Sequence, residues 1–495
     1  MTTATTTARL MRGVLSATLA ACLTACAGLP PRLPPPPALA QSAPVQGLPS
    51  AADAAWPGDR WWRGFADPQL DGLITRALAR SPSLAAARAR IRGAEALAGL
   101  AHAATLPQAG VRADATRQRL SENGLIPPRF LGFTWYTQTD LAAQIDYSFD
   151  FWGKQQAELA TRIDQARAAQ AEAQAVRLGL TSAIVSAYFA WQTDQAQLRD
   201  AEALVRLQTR LHALSAARVQ RGLDPEDAAT RARLQLSQSE AQSVALAGAG
   251  RSQHAVLAAL VGVAPADLHL VTRPLPAPTA ALPEDARIEL LARRPDLAAL
   301  RWQVEAQGQQ VRAARADFLP NLSLSAMAGF SSIHGSKTLA AGSRVFGVGP
   351  ALSLPIFDGG LLKARYGVSV AQLDAAVAQY NQAVLEAARE VGVAVLDLQR
   401  LQQQRMLQQR ALDASEQLQR RAQARLRQGL TDAAPAIASQ AAVLAQHASL
   451  TALHGQQLDA QVALIQALGG GFQAAPAGYA PRHDSPSQLA PETKP

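Results

Sequence analysis

The feature that most limits what this chain can fold into is an internal duplication. Ser81-Pro82-Ser83-Leu84 matches Arg294-Pro295-Asp296-Leu297, with the two prolines 213 positions apart. The same offset relates Leu106-Pro107 to Leu319-Pro320, and between them Ala87, Arg88 and Ile91 to Leu300, Arg301 and Val304. Further on, Phe151-Trp152-Gly153 faces Phe357-Asp358-Gly359 at an offset of 206, and Arg221-Gly222-Leu223 faces Gln428-Gly429-Leu430 at 207. Leu257 and Gly262 then face Leu464 and Gly469. Landmarks in one order at a nearly constant offset mean two copies of a unit of about 200 residues, too long for a solenoid repeat.

Both units read in the same order. A helix of about 20 residues comes first, with Pro82 or Pro295 near its start. Two strand-like stretches follow, then a very long helix, a glycine-containing turn and another long helix. In the second unit Leu322, Leu324, Ala326, Ala328 and Phe330 alternate with Asn321, Ser323, Ser325 and Gly329. Phe346, Val348, Leu352, Leu354 and Ile356 alternate with Gly347, Gly349 and Ser353. In the first, Leu141, Ala143, Ile145, Tyr147 and Phe149 alternate with Gln144, Asp146, Ser148 and Asp150, and the stretch around Val111, Ala113 and Ala115 has smaller apolar residues. A period of two predicts one hairpin over about 108–150 and another over about 320–357. Each strand is near the ~10 residues that a tilted strand needs to cross a bilayer. A small soluble sheet is the competing reading.

The helices keep a 4-3 spacing. Leu373, Val377, Tyr380, Val384, Ala387, Val391, Ala394, Leu398 and Leu401 follow it unbroken, and Leu159, Ile163, Ala166, Ala173, Leu180, Ile184, Ala187 and Trp191 follow it with polar interruptions. This is coiled-coil packing. A helix from about Lys154 to Arg218 is on the order of 100 Å long at 1.5 Å per residue, more than a compact domain needs. Long helix pairs are expected over about 153–262 and 360–469.

Four strands cannot close. An open edge in hydrocarbon leaves backbone groups unpaired at several kcal/mol each, and single-chain bacterial barrels begin at about eight strands. The strands must be pooled, and three chains supply a 12-stranded barrel together with twelve long helices. The expected fold class is an internally duplicated α+β membrane protein contributing four strands to a trimeric barrel. Leu385, Ala388 and Leu396, off the main seam, are expected to meet neighbouring helices.

The N-terminus says where such a chain goes. Arg9 and Arg12 precede a short apolar run, Gly13 to Ala21, too brief to span a bilayer. Leu23-Thr24-Ala25-Cys26 resembles a bacterial lipobox, which implies diacylglycerol on the Cys26 thiol, cleavage before it and an N-acyl chain. Leu19-Ala20-Ala21-Cys22 also fits, so Cys22 is the alternative, disfavoured by the short apolar run before it. An ordinary signal peptide with two incidental cysteines exports the chain equally. Residues 26–66 read as the acylated cysteine and a Pro-rich tether, 67–270 and 284–471 as the repeats, and 472–495 as a disordered tail.

The net charge of +9 invites a nucleic-acid reading, but the excess is arginine dispersed among Glu, Asp and Gln, with only four lysines. No nucleic-acid partner is expected. His102, His212, His254, His269, His334, His447, His454 and His483 form no metal-ligand pattern, and no catalytic constellation or cofactor loop is present, so no enzyme activity, metal or cofactor beyond the covalent lipid is expected. Gly469-Gly470-Gly471 reads as a helix stop. The glycine turns carry the candidate functional residues: Arg221, Gly222, Asp224 and Asp227 in one, and Arg425, Arg427, Gly429 and Asp432 in the other. Glycine supplies the freedom for reversal, and Asp224 or Thr431 is expected to cap the next helix. The hairpin loops, about Arg119 to Gln138 and Ser331 to Arg344, should lie at the opposite end. Trp135, Tyr136, Tyr147, Phe149, Phe151 and Trp152 suit interfacial aromatic belts.

After the lipobox and tether, Trp61-Trp62-Arg63-Gly64-Phe65-Ala66-Asp67-Pro68-Gln69-Leu70 resembles the N-terminal lead-in of the TolC-like outer-membrane efflux factors, in their OprM and NodT lipoprotein branch. Arg293-Arg294-Pro295-Asp296-Leu297, Ala316-Asp317-Phe318-Leu319-Pro320 and Pro355-Ile356-Phe357-Asp358-Gly359-Gly360 resemble its most recognisable runs, and the likeness covers roughly Cys26 to Gly471. The resemblance implies a homotrimer with a 12-stranded β-barrel in the outer membrane, continuous with a 12-helix periplasmic α-barrel. It also implies docking to a periplasmic adaptor and an inner-membrane pump of the resistance–nodulation–division class, with drugs or other small molecules conducted passively. In that family the corresponding turns contact the adaptor and the adjoining helix ends close the tunnel. A periplasmic coiled-coil adaptor or scaffold lipoprotein without a channel is the alternative, and it leaves the duplicated hairpins unexplained.

Overall fold

The structure, a computed structural model, describes residues 37–45, 55–123, 127–278, 283, 290 and 292–473. The signal segment 1–25 with Cys22, the lipobox residue Cys26 and the tail from 474 lie outside the described residues.

Two helices, not one, precede the first strand. α1 (Pro68–Arg80) and α2 (Pro82–Ala104) each begin on a proline, whose missing N–H would have no partner there anyway. The Asp67 carboxylate accepts from the N–H groups of Gln69 and Leu70 at 2.9 and 3.3 Å, and Ser81 Oγ accepts from Leu84 N–H at 3.4 Å. Leu70, Leu73, Ile74 and Ala77 form one buried stripe on α1 at helical spacing.

The chain continues through β1 (Gln108–Arg119), β2 (Trp135–Phe149), α3 (Lys154–Gln220) and α4 (Glu226–Val261). The second half repeats the order with α5 (Pro295–Ala316), β3 (Asn321–Ser332), β4 (Arg344–Ser353), α6 (Leu361–Arg427) and α7 (Ala433–Ala467). β4 stops at Ser353, short of the expected Ile356, because Pro355 has no N–H to give a ladder. Both α3 and α6 are 67 residues long, about 100 Å each. Each starts from carboxylate hydrogen bonds: Asp150 accepts from Gln156 N–H at 2.9 Å, and Asp358 from Gly360 and Leu362 N–H at 2.8 Å.

The seam predicted along α6 is internal: every residue named for it is buried except Leu373, which is half-buried. In the first half of α3 Ala166 is buried as expected, but the other buried positions differ from the predicted ones. Ala157, Thr161, Asp164, Ala168 and Ala171 turn inward, while Leu159, Ile163 and Ala173 are half-buried. The reason is α5, which crosses there: Thr161 Oγ1 lies 3.4 Å from the Ala306 carbonyl, and the Arg167 guanidinium sits 4.6 Å from the Trp302 ring centre. Small residues let the two backbones approach.

α3 packs against α2, α4, α5 and α7, and α6 against α5 and α7. Two hydrophobic cores lie at mid-length of the long helices. One gathers Trp61, Trp62 and Phe65, α1, Ile184 and Tyr188 of α3, and the ends of α4 and α7. The other gathers Ala43, Val45 and Leu290 with the middle of α6. In the first, Tyr188 is fully buried; its hydroxyl donates to Asp67 Oδ2 at 2.6 Å and accepts from Gln192 and Gln69 Nε2 at 2.9 and 3.0 Å. The segment after α4 is strapped over this core: Val271 N–H donates to Gln69 Oε1 at 2.8 Å, and His254 and His454 Nε2 meet the carbonyls of Leu268 and Pro276 at 2.8 Å. The sheet, by contrast, has no covered face.

Candidate functional site

The two hairpins join into one antiparallel sheet of order β1-β2-β3-β4. The join between halves runs along β2 and β3, with Leu141 opposite Phe330, Ile145 opposite Ala326 and Phe149 opposite Leu322. Because side chains alternate along a strand, this register makes each face continuous across all four strands. Val111, Ala143, Ala328 and Phe346 form one row of an apolar face, and Arg112, Ala142, Gly329 and Val345 fall on the other. That second face also carries Asp114 opposite Asp140, and Gln144 and Asp146 beside them. The apolar face is bare: Val111, Phe346 and Val348 are 76%, 86% and 75% exposed. β1 and β4 each have one edge without a partner among the described residues. Of the aromatics predicted for interfacial belts, Trp135 lies on the apolar face, but Tyr136, opposite Gln118, lies on the polar one.

At the far end of the helices, α3 ends at Gln220 and α6 at Arg427, and Gly222 and Gly429 adopt φ +68° and +70°. That left-handed conformation lets Leu223 and Leu430 N–H reach back to the carbonyls of Arg218 and Arg425 at 2.9 Å, closing both helix ends in the same way.

One arginine ties the two turns together. Arg218 donates to Asp224 through Nε (2.6 Å) and a terminal nitrogen (3.0 Å), and through its other terminal nitrogen to Asp432 Oδ2 at 2.9 Å. Its hydrogen bonds, and after them its charge, hold the Asp224 carboxyl below the usual range, and the same hydrogen bonds raise Arg218. Asp432 also caps α7, accepting from Ala434 N–H at 3.2 Å. The expected caps were different: Asp224 forms an ion pair instead, and neither it nor Thr431 caps a helix. Of the predicted charges, Asp224 and Asp432 come together, whereas Arg425 and Arg427 have no carboxylate partner among the described residues. Arg221 and Asp227 stand exposed, and Arg231 Nε donates to the Asp227 carbonyl at 3.3 Å. Arg218 was not singled out in the sequence, although the offset of 207 makes it the counterpart of Arg425.

The family model described as outer membrane efflux protein matches residues 73–263 and 287–470, one stretch in each half. The chain belongs to the outer membrane efflux protein family. The multidrug resistance outer membrane protein MdtP of Escherichia coli is 34% identical over 437 residues, covering 86% of this chain and 89% of that protein. MdtQ of Escherichia coli O6:H1, which bears the same description, is 32% identical over 447 residues, covering 88% and 94%. Among solved structures, the outer membrane protein VceC of Vibrio cholerae superposes with a TM-score of 0.75 at 31% identity, covering 84% of this chain and all of that one. This efflux protein is thus an outer-membrane channel subunit, with its helices in the periplasm, and its family is one of transport channels rather than enzymes. That placement orients the molecule: α3 and α6 leave the sheet on the periplasmic side, at the end opposite the hairpin loops.

Proposed function

We propose that three copies of this chain close a 12-stranded barrel in the outer membrane, continuous with a 12-helix periplasmic tunnel, and that small molecules pass through it passively. A periplasmic adaptor and an inner-membrane pump of the resistance–nodulation–division class hand the cargo over and supply the energy. The observation that carries the reading is the sheet, apolar on one face, polar on the other, and unpaired at β1 and β4 among the described residues. Setting β4 of one copy against β1 of the next removes every edge from hydrocarbon and turns the polar face into a wet lumen. Exposed Leu234 and Val244 on α4, with Leu385 and Leu396 on α6, supply apolar flanks for neighbouring subunits. Light scattering of the detergent-purified protein tests the assembly. A mass of three chains is expected, and a monomer that keeps its strand circular dichroism sinks the proposal.

On this reading residues 1–25 are removed on export and Cys26, or alternatively Cys22, carries the lipid. The periplasmic closure lies at the two turns, with Arg218 as their latch. Replacing Arg218 with Gln frees both aspartates, so single-channel conductance of the trimer should rise. Conductance equal to wild type assigns the closure elsewhere.

A further inference from the structure

We propose that the outer rim of the sheet is a binding site for phosphorylated lipid headgroups of the outer leaflet. The inference rests on the barrel reading, which makes the apolar face the lipid face. From Ala109 to Arg117 on β1 and from Leu352 to Arg344 on β4, the strand climbs that face by eight residue steps. At about 3.3 Å per residue this is about 26 Å along the strand, comparable with the about 25 Å apolar band of such barrels. Where the band ends, the lipid face turns basic. Arg117 and Arg119 share the parity of Val111, and Arg344 shares that of Phe346 and Val348.

The parity is visible in a contact. Trp135, across from Arg119 on the same face, has the Arg117 guanidinium 5.7 Å from its ring centre. An aromatic ring at the boundary with a cation above it suits an interface where acyl chains give way to headgroups. Lys337 and Arg129 in the adjoining loops add two exposed cations. Against these five bases, the sequence of the rim, 117–137 and 331–344, holds one carboxylate, Glu122, which pairs with Arg119 at 3.1 Å.

The periplasmic end of the sheet has no such excess. There Lys154 is held by Asp317 at 2.6 Å, and Asp150 and Asp358 serve as helix caps. The asymmetry follows the membrane rather than the sheet, since a polar interface needs no particular sign of charge. Clustered cations beside a lipid face select anionic headgroups, and long arginine side chains reach up from apolar surroundings to meet them.

The test is native mass spectrometry of the detergent-purified protein with diphosphoryl lipid A as probe, alongside its phosphate-free form and inorganic phosphate. Diphosphoryl lipid A should bind the trimer and resist competition by millimolar phosphate. The combined variant Arg117→Gln, Arg119→Gln, Arg344→Gln should weaken binding by about tenfold or more. A control carrying Arg88→Gln, Arg90→Gln and Arg92→Gln on α2 should bind as wild type. A trimer that takes up phosphate-free lipid equally, that loses nothing in the rim variant, or that gives up the lipid to free phosphate overturns the site while leaving the channel reading intact. A protein that is only monomeric overturns both.

Discussion

The three glycines that follow α7 thread a gap between fixed neighbours, and a double-mutant cycle measures how tight that gap is. Gly469, Gly470 and Gly471 have φ of +90°, +57° and +84°. A Cβ at Gly470 would lie 2.0 Å from Leu178 Cδ1, whereas one at Gly471 would lie 2.1 Å from the Gly58 carbonyl carbon and 2.2 Å from its oxygen. For Gly470→Ala the left-handed backbone costs about 1–2 kcal/mol. Overpacking against one flexible side chain adds about 1 kcal/mol, the low end of the usual range, so the total is about 2–3 kcal/mol. Leu178→Ala removes the clash, so in that background the glycine change should cost about 1 kcal/mol less. Gly471→Ala meets backbone that no side-chain trimming can relieve, and should cost about 4 kcal/mol with or without Leu178→Ala. Heat-induced unfolding, followed through Trp61 and Trp62 beside the same gap, ranks the variants. The packing argument fails if Gly470→Ala costs the same in both backgrounds, or if Gly471→Ala is the milder change.

Tyr188→Phe leaves Asp67 without its 2.6 Å donor in a buried setting, which should cost about 2 kcal/mol, read from the melting transition; no loss would mean that the Gln69 N–H and the Arg273 guanidinium, 3.7 Å from Oδ1, suffice for that carboxylate. Burial holds His454 neutral, with its pKa below the ordinary value of 6.5. The folded state therefore binds fewer protons than the unfolded one, and the stability this histidine contributes is complete above 6.5 and declines as pH falls below it. Amide protection across residues 268–276, corrected for the intrinsic pH dependence of exchange, should fall between pH 7 and 5, and His454→Gln should flatten that response. Neither change would occur if the strap were held only by Gln69 and by Gln192, whose Oε1 accepts from Arg273 N–H at 2.9 Å.

The parts of the fold that repeat at short range were readable in the sequence. Period-two runs such as Leu322 to Phe330 name the apolar face of the sheet, and the 4-3 run of α6 names its buried side, because each depends only on local geometry. What escaped needed partners distant in sequence. The pairing of β2 with β3 joins residues about 180 positions apart, as in Leu141 with Phe330, and nothing inside either hairpin announces it. The buried side of α3 near Asp164 is set by α5, so its own pattern misleads. α1 is absent from the expected element order for a simpler reason: Asp67-Pro68 is a helix start, but the 13 residues of that helix carry no landmark of the repeat, whose first match is Ser81-Pro82. Arg218 was hidden because its worth lies in joining Asp224 to Asp432 across two turns, and a one-dimensional reading sees only a helix arginine. The repeat offset pointed to it through Arg425.

The two bare edges of the sheet also bear on inheritance. In the proposed trimer each seam takes β4 from one subunit and β1 from the next, so one copy with a damaged β1 leaves a seam open in the ring it joins. In a cell making equal amounts of sound and edge-damaged chains that mix freely, only about one ring in eight would be free of a defect. Damaged alleles of this kind should be dominant, whereas null alleles, which never enter a ring, should be recessive.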